Sequence, residues 1–128
     1  MMHSFGDAMI VVVDDDAATC QSLERLLRSY GFRVETYTSA SAFAVSGHLK
    51  ETACLLLDVQ MPGHTGLELQ DYLRSEGLCV PIIFMTGHID DEIRERAIKG
   101  GAMDMLEKPF DNDLLIDKIK SALTLLSK

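Results

Sequence analysis

The 128-residue chain lacks several features that mark specialised classes of protein. None of its three cysteines lies in a CxxC pair. We therefore expect reduced, buried thiols rather than disulfides or a zinc site. Its apolar runs all stay short of the roughly 18 residues that a membrane span requires. Residues 1–9 lack the basic and apolar regions of a signal peptide. We therefore expect a cytoplasmic protein without membrane contact.

Basic residues are also scarce. Twelve Lys and Arg stand against twenty Asp and Glu, which gives a formal net charge of −8. Because binding to nucleic acid phosphates needs a basic face, this balance argues against direct nucleic acid binding. The length and the 47% hydrophobic content fit one soluble globular domain. We expect that domain to span residues 1–128, with a core from about residue 8 to residue 126.

Apolar strand segments alternate with helical segments along the whole chain. The predicted strands cover residues 9–13, 32–37, 53–57, 80–85 and 102–106. Strands that alternate with helices of this length form a parallel sheet with helices on both faces. Right-handed crossovers then bring the carboxyl ends of all the strands to one edge of the sheet, called the rim below. The sequence therefore predicts an α/β fold with one ligand-binding edge.

The predicted helices have details that a structure can test. The second helix is expected to begin after Ser39 and to continue past Gly47 to Leu49. The fourth is expected to direct Ile98 inward, and the last to carry Leu126 on its inner stripe.

Polar side chains occur where the predicted strands end. Asp14 and Asp15 follow the first strand, Asp58 the third, Thr86 ends the fourth, and Lys108 follows the fifth. Since these strand ends meet at the rim, we expect the five side chains to lie close together. Three carboxylates form an oxygen-rich site suited to a hard divalent cation, most simply Mg²⁺.

This set of side chains also suits phosphoryl transfer. A divalent cation, the Lys108 ammonium and the Thr86 hydroxyl can together stabilise the oxygens of a transferring phosphoryl group. Asp58 is the carboxylate placed to attack that group and carry it as an acyl phosphate. Taken singly, an acidic pair is most often a solvated turn and a threonine after a strand is usually a cap. Their convergence at four strand ends favours the joint interpretation.

Four segments give the chain a resemblance to the receiver domains of two-component response regulators. They are VVVDDD (11–16), LLLDVQMPGHTGLEL (55–69), FMTGH (84–88) and EKPF (107–110). The resemblance extends from about residue 8 to residue 126, and the last three motifs look most like receivers that often precede a helix-turn-helix output domain. It implies a flavodoxin-like, doubly wound sheet of five parallel strands in the order 2-1-3-4-5, with five helices.

The resemblance also implies roles for the residues at the rim. Asp58 would be phosphorylated from the phosphohistidine of a histidine kinase or by a phosphotransfer protein. Asp15, Asp58 and the backbone carbonyl of Gln60 would bind Mg²⁺ directly, and Asp14 would act through water. Lys108 would pair with the phosphoryl group, and its bond to the following proline would be cis.

One position departs from the pattern of the family. Receivers usually carry Tyr or Phe three residues before the lysine, and that ring turns inward when the phosphoryl group draws the threonine over. Here the position holds Met105, which can fill the space but offers neither a hydroxyl nor a stiff ring. We expect Thr86 and Met105 to form a leaky switch. It would change the surface of helix four, strand five and helix five for partner binding, including homodimer formation on phosphorylation.

The same residues suggest two other functions. A Mg²⁺-dependent phosphohydrolase would use Asp58 as a transient nucleophile, but it would need an acid or base where Gln60 stands and a cap insertion for substrate. A receiver-like adaptor would bind partners without phosphorylation, and the intact acidic pair with Lys108 argues against it. We therefore expect a binding switch and not an enzyme.

The histidines offer no ligand pattern. We expect His3, His48 and His64 to be exposed and His88 to lie on the rim.

Overall fold

The computed structural model describes residues 8–61, 63 and 65–126, with the side chains described as far as residue 124. Within these ranges five strands alternate with five helices. The elements are β1 Met9–Val13, α1 Ala17–Ser29, β2 Arg33–Tyr37, α2 Ala40–Ala44, β3 Thr52–Asp58, α3 Gly66–Ser75, β4 Ile82–Thr86, α4 Asp91–Lys99, β5 Asp104–Glu107 and α5 Asn112–Leu126.

The strands form one parallel sheet in the order β2-β1-β3-β4-β5. Every residue of β1 and β4 is buried, as expected for central strands covered on both faces. This topology confirms the predicted fold: a flavodoxin-like, doubly wound sheet of five strands with five helices.

Each face of the sheet carries its own apolar core. One core joins α1 and α5 to the sheet through residues such as Leu27, Leu56 and Ile119. The other joins α2, α3 and α4 to the opposite face through residues that include Phe43 and Phe84. Burying one such side chain stabilises the fold by about 1.5–3 kcal/mol. The two cores fix the sheet between helix layers and leave the rim as the place where polar groups emerge.

Helix caps explain where several helices begin. Ser39 accepts a hydrogen bond from the Ala42 N–H at the start of α2, as predicted. Thr65 and Glu68 form a reciprocal capping box at the start of α3. At α5, the Asp111 carboxylate accepts from a backbone N–H at 2.8 Å.

The second and fourth helices differ from the predictions. α2 ends at Ala44, and Gly47 adopts a positive φ of 83° in the turn that follows, so Leu49 lies outside the helix. A helix cannot continue through a left-handed residue, which is why the longer helix was wrong. Ile98 is 53% exposed. Only Ala97 is buried in this helix, and its neighbour one position on points about 100° away.

Smaller differences concern strand limits and exposure. β3 includes Asp58 as its last residue, whereas the predicted strand stopped one residue earlier. Cys20 and Cys54 are buried free thiols, but Cys79 is exposed because it lies in the loop before β4 rather than within the sheet.

The remaining predictions have mixed outcomes. The His48 side chain is 41% exposed and pairs with Glu51 at 2.9 Å, and His88 is exposed on the rim. His3, His64 and the Leu126 side chain lie outside what the structure describes. None of the described helices combines the length and apolarity needed to cross a membrane.

Candidate functional site

Two buried carboxylates lie side by side at the rim. Val13 of β1 pairs with Leu57 of β3, so the next residues, Asp14 and Asp58, emerge at the same level of the sheet. Asp14 is 0% exposed and Asp58 is 6% exposed. Asp15 is exposed beside them, and each of the three residues offers a carboxylate oxygen within 4.8 Å of the others. The strand register thus produces the predicted acidic cluster.

One ammonium group enters this cluster from β5. Lys108 Nζ donates to Asp14 Oδ2 at 2.7 Å and lies 3.8 Å from Asp58 Oδ1. The Lys108 N–H donates to the Thr86 carbonyl at 2.7 Å, which fixes the residue beside β4. The Lys108–Pro109 bond is cis, as predicted. Three carboxylates against one ammonium leave the site suited to a divalent cation with oxygen ligands.

The two buried carboxylates differ in how they are compensated. Asp14 Oδ1 accepts from the Asp16 N–H at 2.9 Å, and its other oxygen accepts from Lys108. Asp58 Oδ1 accepts a long hydrogen bond from the Gln60 N–H, at 3.4 Å. Asp58 is therefore the carboxylate that keeps the most capacity for a further ligand or electrophile.

The pKa values follow from this arrangement. Burial, and then the negative charge of Asp14, raise the pKa of Asp58 to about 6, although Lys108 opposes the shift. Burial lowers the pKa of Lys108, but the hydrogen bond to Asp14 and the charges of Asp14 and Asp58 outweigh burial, so this pKa lies above its usual range. Of the two buried carboxylates, Asp58 is thus the one whose charge is less well compensated.

Gly66 opens α3 and contacts the strand that carries Asp58. A Cβ at this position would meet the Asp58 carbonyl oxygen and would lie 3.0 Å from Leu57 Cγ. The Gly66 N–H also donates to the Val59 carbonyl at 2.7 Å. The first residue of α3 therefore packs directly on the strand that delivers Asp58, and only glycine permits this approach. A glycine opening a helix, where its propensity is poor, was the available signal.

Thr86 reaches the rim, but its hydroxyl is engaged within its own loop. The residue ends β4 and is 2% exposed. Its Oγ1 donates to the His88 carbonyl at 3.1 Å and accepts from the His88 N–H at 3.3 Å. Next to it, Glu107 Oε1 accepts from the Ile89 N–H at 3.1 Å. The loop from β4 to α4 is therefore held by these short polar contacts.

Met105 lies in the core on the face of the sheet that α2, α3 and α4 cover. It is 6% exposed, pairs with Phe84, and belongs to the core that includes Ala97 of α4. Thr86 pairs with Glu107, two residues further along β5 on the same face. Gln60 is exposed, and the ligand role of its carbonyl stays a prediction.

Comparison with known proteins shows the family to which the chain belongs. The response regulator receiver domain family matches residues 10–120. Response regulator protein TodT of Pseudomonas putida is 42% identical over 118 residues, which cover 92% of this chain and 52% of TodT. Transcriptional regulatory protein FixJ of Azorhizobium caulinodans is 44% identical over 112 residues, covering 88% of this chain and 53% of FixJ. The chain thus spans about half the length of these curated relatives.

Comparison with solved structures indicates the same family. The response regulator receiver protein from Burkholderia phymatum superposes with a TM-score of 0.79 at 42% identity, covering 91% of this chain and 95% of that one. The structure named FixJ-N has a TM-score of 0.83 at 34% identity, covering 92% and 94% respectively. With the fold, the acidic cluster and the family match in agreement, the chain belongs to the response regulator receiver domain family of two-component signalling.

Proposed function

We propose that this receiver domain accepts a phosphoryl group on Asp58 from the phosphohistidine of a histidine kinase or from a phosphotransfer protein. The supporting observation is the unequal compensation of the two buried carboxylates. Each carboxylate oxygen of Asp14 accepts a hydrogen bond, whereas Asp58 ends the central strand with a raised pKa and an ammonium 3.8 Å away. The less well compensated carboxylate at the ligand-binding edge of a parallel sheet is the natural nucleophile.

The donor set fits Mg²⁺. Asp14, Asp15 and Asp58 supply carboxylate oxygens within 4.8 Å of one another, and the Gln60 carbonyl is the proposed further ligand. Asp15 and Asp58 would bind the ion directly, with Asp14 acting through water. When bound, the ion supplies positive charge that offsets the carboxylates and the oxygens of an incoming phosphoryl group.

The chain's own residues then carry the transfer. An Asp58 oxygen forms a bond to phosphorus while the bond between phosphorus and the donor's imidazole nitrogen breaks, and that nitrogen keeps the electron pair. In the metal-free site burial and the charge of Asp14 raise the pKa of Asp58 to about 6, and a bound cation would favour its ionised form. Lys108 pairs with the phosphoryl oxygens, and the Thr86 hydroxyl leaves His88 to donate to one of them.

The output is a change of binding surface. Receiver domains are typically non-enzymatic signalling domains, and we propose that this one also acts through partners. Movement of Thr86 and repacking of Met105 would alter the surface of α4, β5 and α5, where a partner or a second copy of the chain would bind. We further propose one domain spanning residues 1–128, with its core at about 8–126. The net charge of −8 argues against direct contact with nucleic acid.

Phosphorylation by a small donor tests the proposal. Incubation with acetyl phosphate and Mg²⁺ should add the mass of one phosphoryl group, and hydroxylamine should remove it because acyl phosphates react with this nucleophile. Asp58→Asn should gain nothing, while Asp117→Asn, at an exposed position of α5, is the charge-matched control and should behave as wild type. Retention of the added mass in Asp58→Asn would refute the assignment.

A further inference from the structure

The loop between β4 and α4 is attached to the end of β5 at two points. At its start, the Thr86 carbonyl accepts from the Lys108 N–H at 2.7 Å. At its end, the Ile89 N–H donates to Glu107 Oε1 at 3.1 Å. Between these points the Thr86 hydroxyl is bonded to the His88 backbone. Glu107, the last residue of β5, and Lys108, which follows it, thus hold both ends of the segment that carries the threonine.

The Thr86 hydroxyl cannot donate to the His88 carbonyl and to a phosphoryl group at the same time. A hydroxyl has one hydrogen to donate, and it now goes to the His88 carbonyl at 3.1 Å. Donation to a phosphoryl oxygen on Asp58 requires that bond to break, which releases the His88 backbone from the Thr86 hydroxyl. His88 lies directly before Ile89, so a shift of this backbone also displaces the N–H that Glu107 holds. The two contacts are therefore mechanically linked.

The opposite end of α4 is held much more firmly. Gln70 of α3 is 2% exposed, and its Nε2 donates to the Ala97 carbonyl at 3.0 Å. A Cβ at Gly100 would meet the Gln70 amide, so the end of α4 packs directly on this side chain. The Gln70 contact at one end of α4 is buried, and the Glu107 contact near the other end is exposed. A displacement that starts in the loop should therefore break the Glu107 contact first.

We propose that Glu107 is a positioning residue of the phosphoacceptor site, which holds the β4–α4 loop in the arrangement where Thr86 is bonded to His88 and so opposes phosphoryl recognition. This inference rests on the function proposed above. The Glu107 carboxylate makes a charge-assisted hydrogen bond, which is stronger than the one an amide would make. Weakening it should favour the arrangement in which Thr86 reaches the phosphoryl group.

Titration with beryllofluoride and Mg²⁺, a phosphoryl analogue, measures this effect by NMR. Glu107→Gln should tighten the apparent Kd about two- to fivefold, since it replaces a charged acceptor by a neutral one. Glu92→Gln removes the same charge from the exposed first turn of α4 and should leave the Kd unchanged. In a Thr86→Ala background the Glu107 effect should vanish, because no hydroxyl remains to be released. An effect of the same size in that background would show simple charge repulsion and overturn the proposal.

Amide hydrogen exchange at Ile89, without any phosphoryl analogue, tests the contact itself. Glu107→Ala should speed this exchange about three- to tenfold, whereas Glu92→Ala should not. Unchanged exchange, or faster exchange with an unchanged beryllofluoride Kd, overturns the role of Glu107 and leaves the phosphoacceptor function standing. A wild-type protein that fails to bind beryllofluoride would overturn the proposed function and this inference together.

Discussion

The two sides of the rim are built differently. The acid side consists of Asp14, Asp15, Asp58 and Lys108, and the loop side is the segment from Thr86 to Ile89. On the acid side, two buried carboxylates are fixed by strand register, and an ammonium lies 2.7 Å from one of them. On the loop side, the side-chain hydrogen bonds measure 3.1–3.3 Å and residues 87–88 are exposed.

This difference separates binding from response. Charges fixed in position before a ligand arrives need little reorganisation when it binds, which is the property that stabilises a transferring group. Exposed or partly buried hydrogen bonds in a short loop open at smaller cost than contacts fixed within the sheet. The acid side should therefore determine whether a cation and a phosphoryl group bind. The loop side should determine how the conformation of the rest of the domain changes when they do.

Removal of the acid-side ammonium should have the largest effect. Lys108→Met leaves Asp14 and Asp58 buried without a cation, so we expect unfolding in urea at pH 7.5 with EDTA to show a loss of about 2–3 kcal/mol. Lys118 makes an equally short pair with Asp104, at 2.6 Å, but at the surface. Lys118→Met is the control and should change stability little. Equal losses of unfolding free energy in the two variants would show that burial does not make the Lys108 contacts more stabilising than a surface ion pair.

Neutralising Asp58 should act in the opposite direction. Its pKa is raised to about 6 by burial and by Asp14, so the folded state disfavours the ionised form. Above pH 6 the metal-free wild type carries that cost in full, and Asp58→Asn should be more stable by roughly 2 kcal/mol. As the pH falls from about 6 to 4 the carboxyl becomes protonated in the folded state and the advantage should disappear.

Urea unfolding in EDTA between pH 4 and pH 8 measures this crossover, with Asp117→Asn as the charge-matched control. An advantage for Asp58→Asn that does not change with pH would mean that the ionised carboxylate is not the source of the cost.

Mg²⁺ should stabilise the fold through the acid side alone. At ten times its Kd, a ligand that binds only the folded state adds about 1.4 kcal/mol. Thermal melts at matched ionic strength should show a higher midpoint with Mg²⁺, and Asp15→Asn should remove most of the difference. Thr86→Val should keep it, because the hydroxyl is bonded to His88 and not to the cluster. A Mg²⁺ effect lost in Thr86→Val would contradict the division between the two sides.

The smallest effect is expected at Met105. Methionine can fill the space left by Thr86 in several rotamers, so active and inactive arrangements should mix before phosphorylation. Met105→Tyr should sharpen the change, seen as larger NMR shift differences across residues 90–110 on addition of beryllofluoride. A clean two-state change in the wild type, unaltered by Met105→Tyr, would show that this residue is core packing only.

The acid side could be read from the sequence because its determinants are local. Charged residues directly after apolar strands must emerge at the rim, and the register of β1 with β3 then follows from the parallel sheet. The loop side could not be predicted in this way, because its contacts are not encoded in the spacing of apolar residues. The bonds from Thr86 to His88 and from Glu107 to Ile89 are set by the path of a four-residue loop.

Other details failed for similar reasons. The length of α2 was set by the backbone conformation of Gly47, and the packing of Gly66 on Asp58 by the distance between α3 and β3. Apolar spacing predicts which face of an element is buried, but it does not predict how closely two elements approach.

Chemical localisation of the phosphoryl group tests the central claim most directly. Borohydride reduces an acyl phosphate of aspartate to homoserine, so the modified residue can be found by peptide mass spectrometry after treatment with acetyl phosphate and Mg²⁺. The account predicts homoserine at position 58 and aspartate retained at positions 14 and 15. Homoserine at either of those positions, or none anywhere in a chain that binds Mg²⁺, would contradict it.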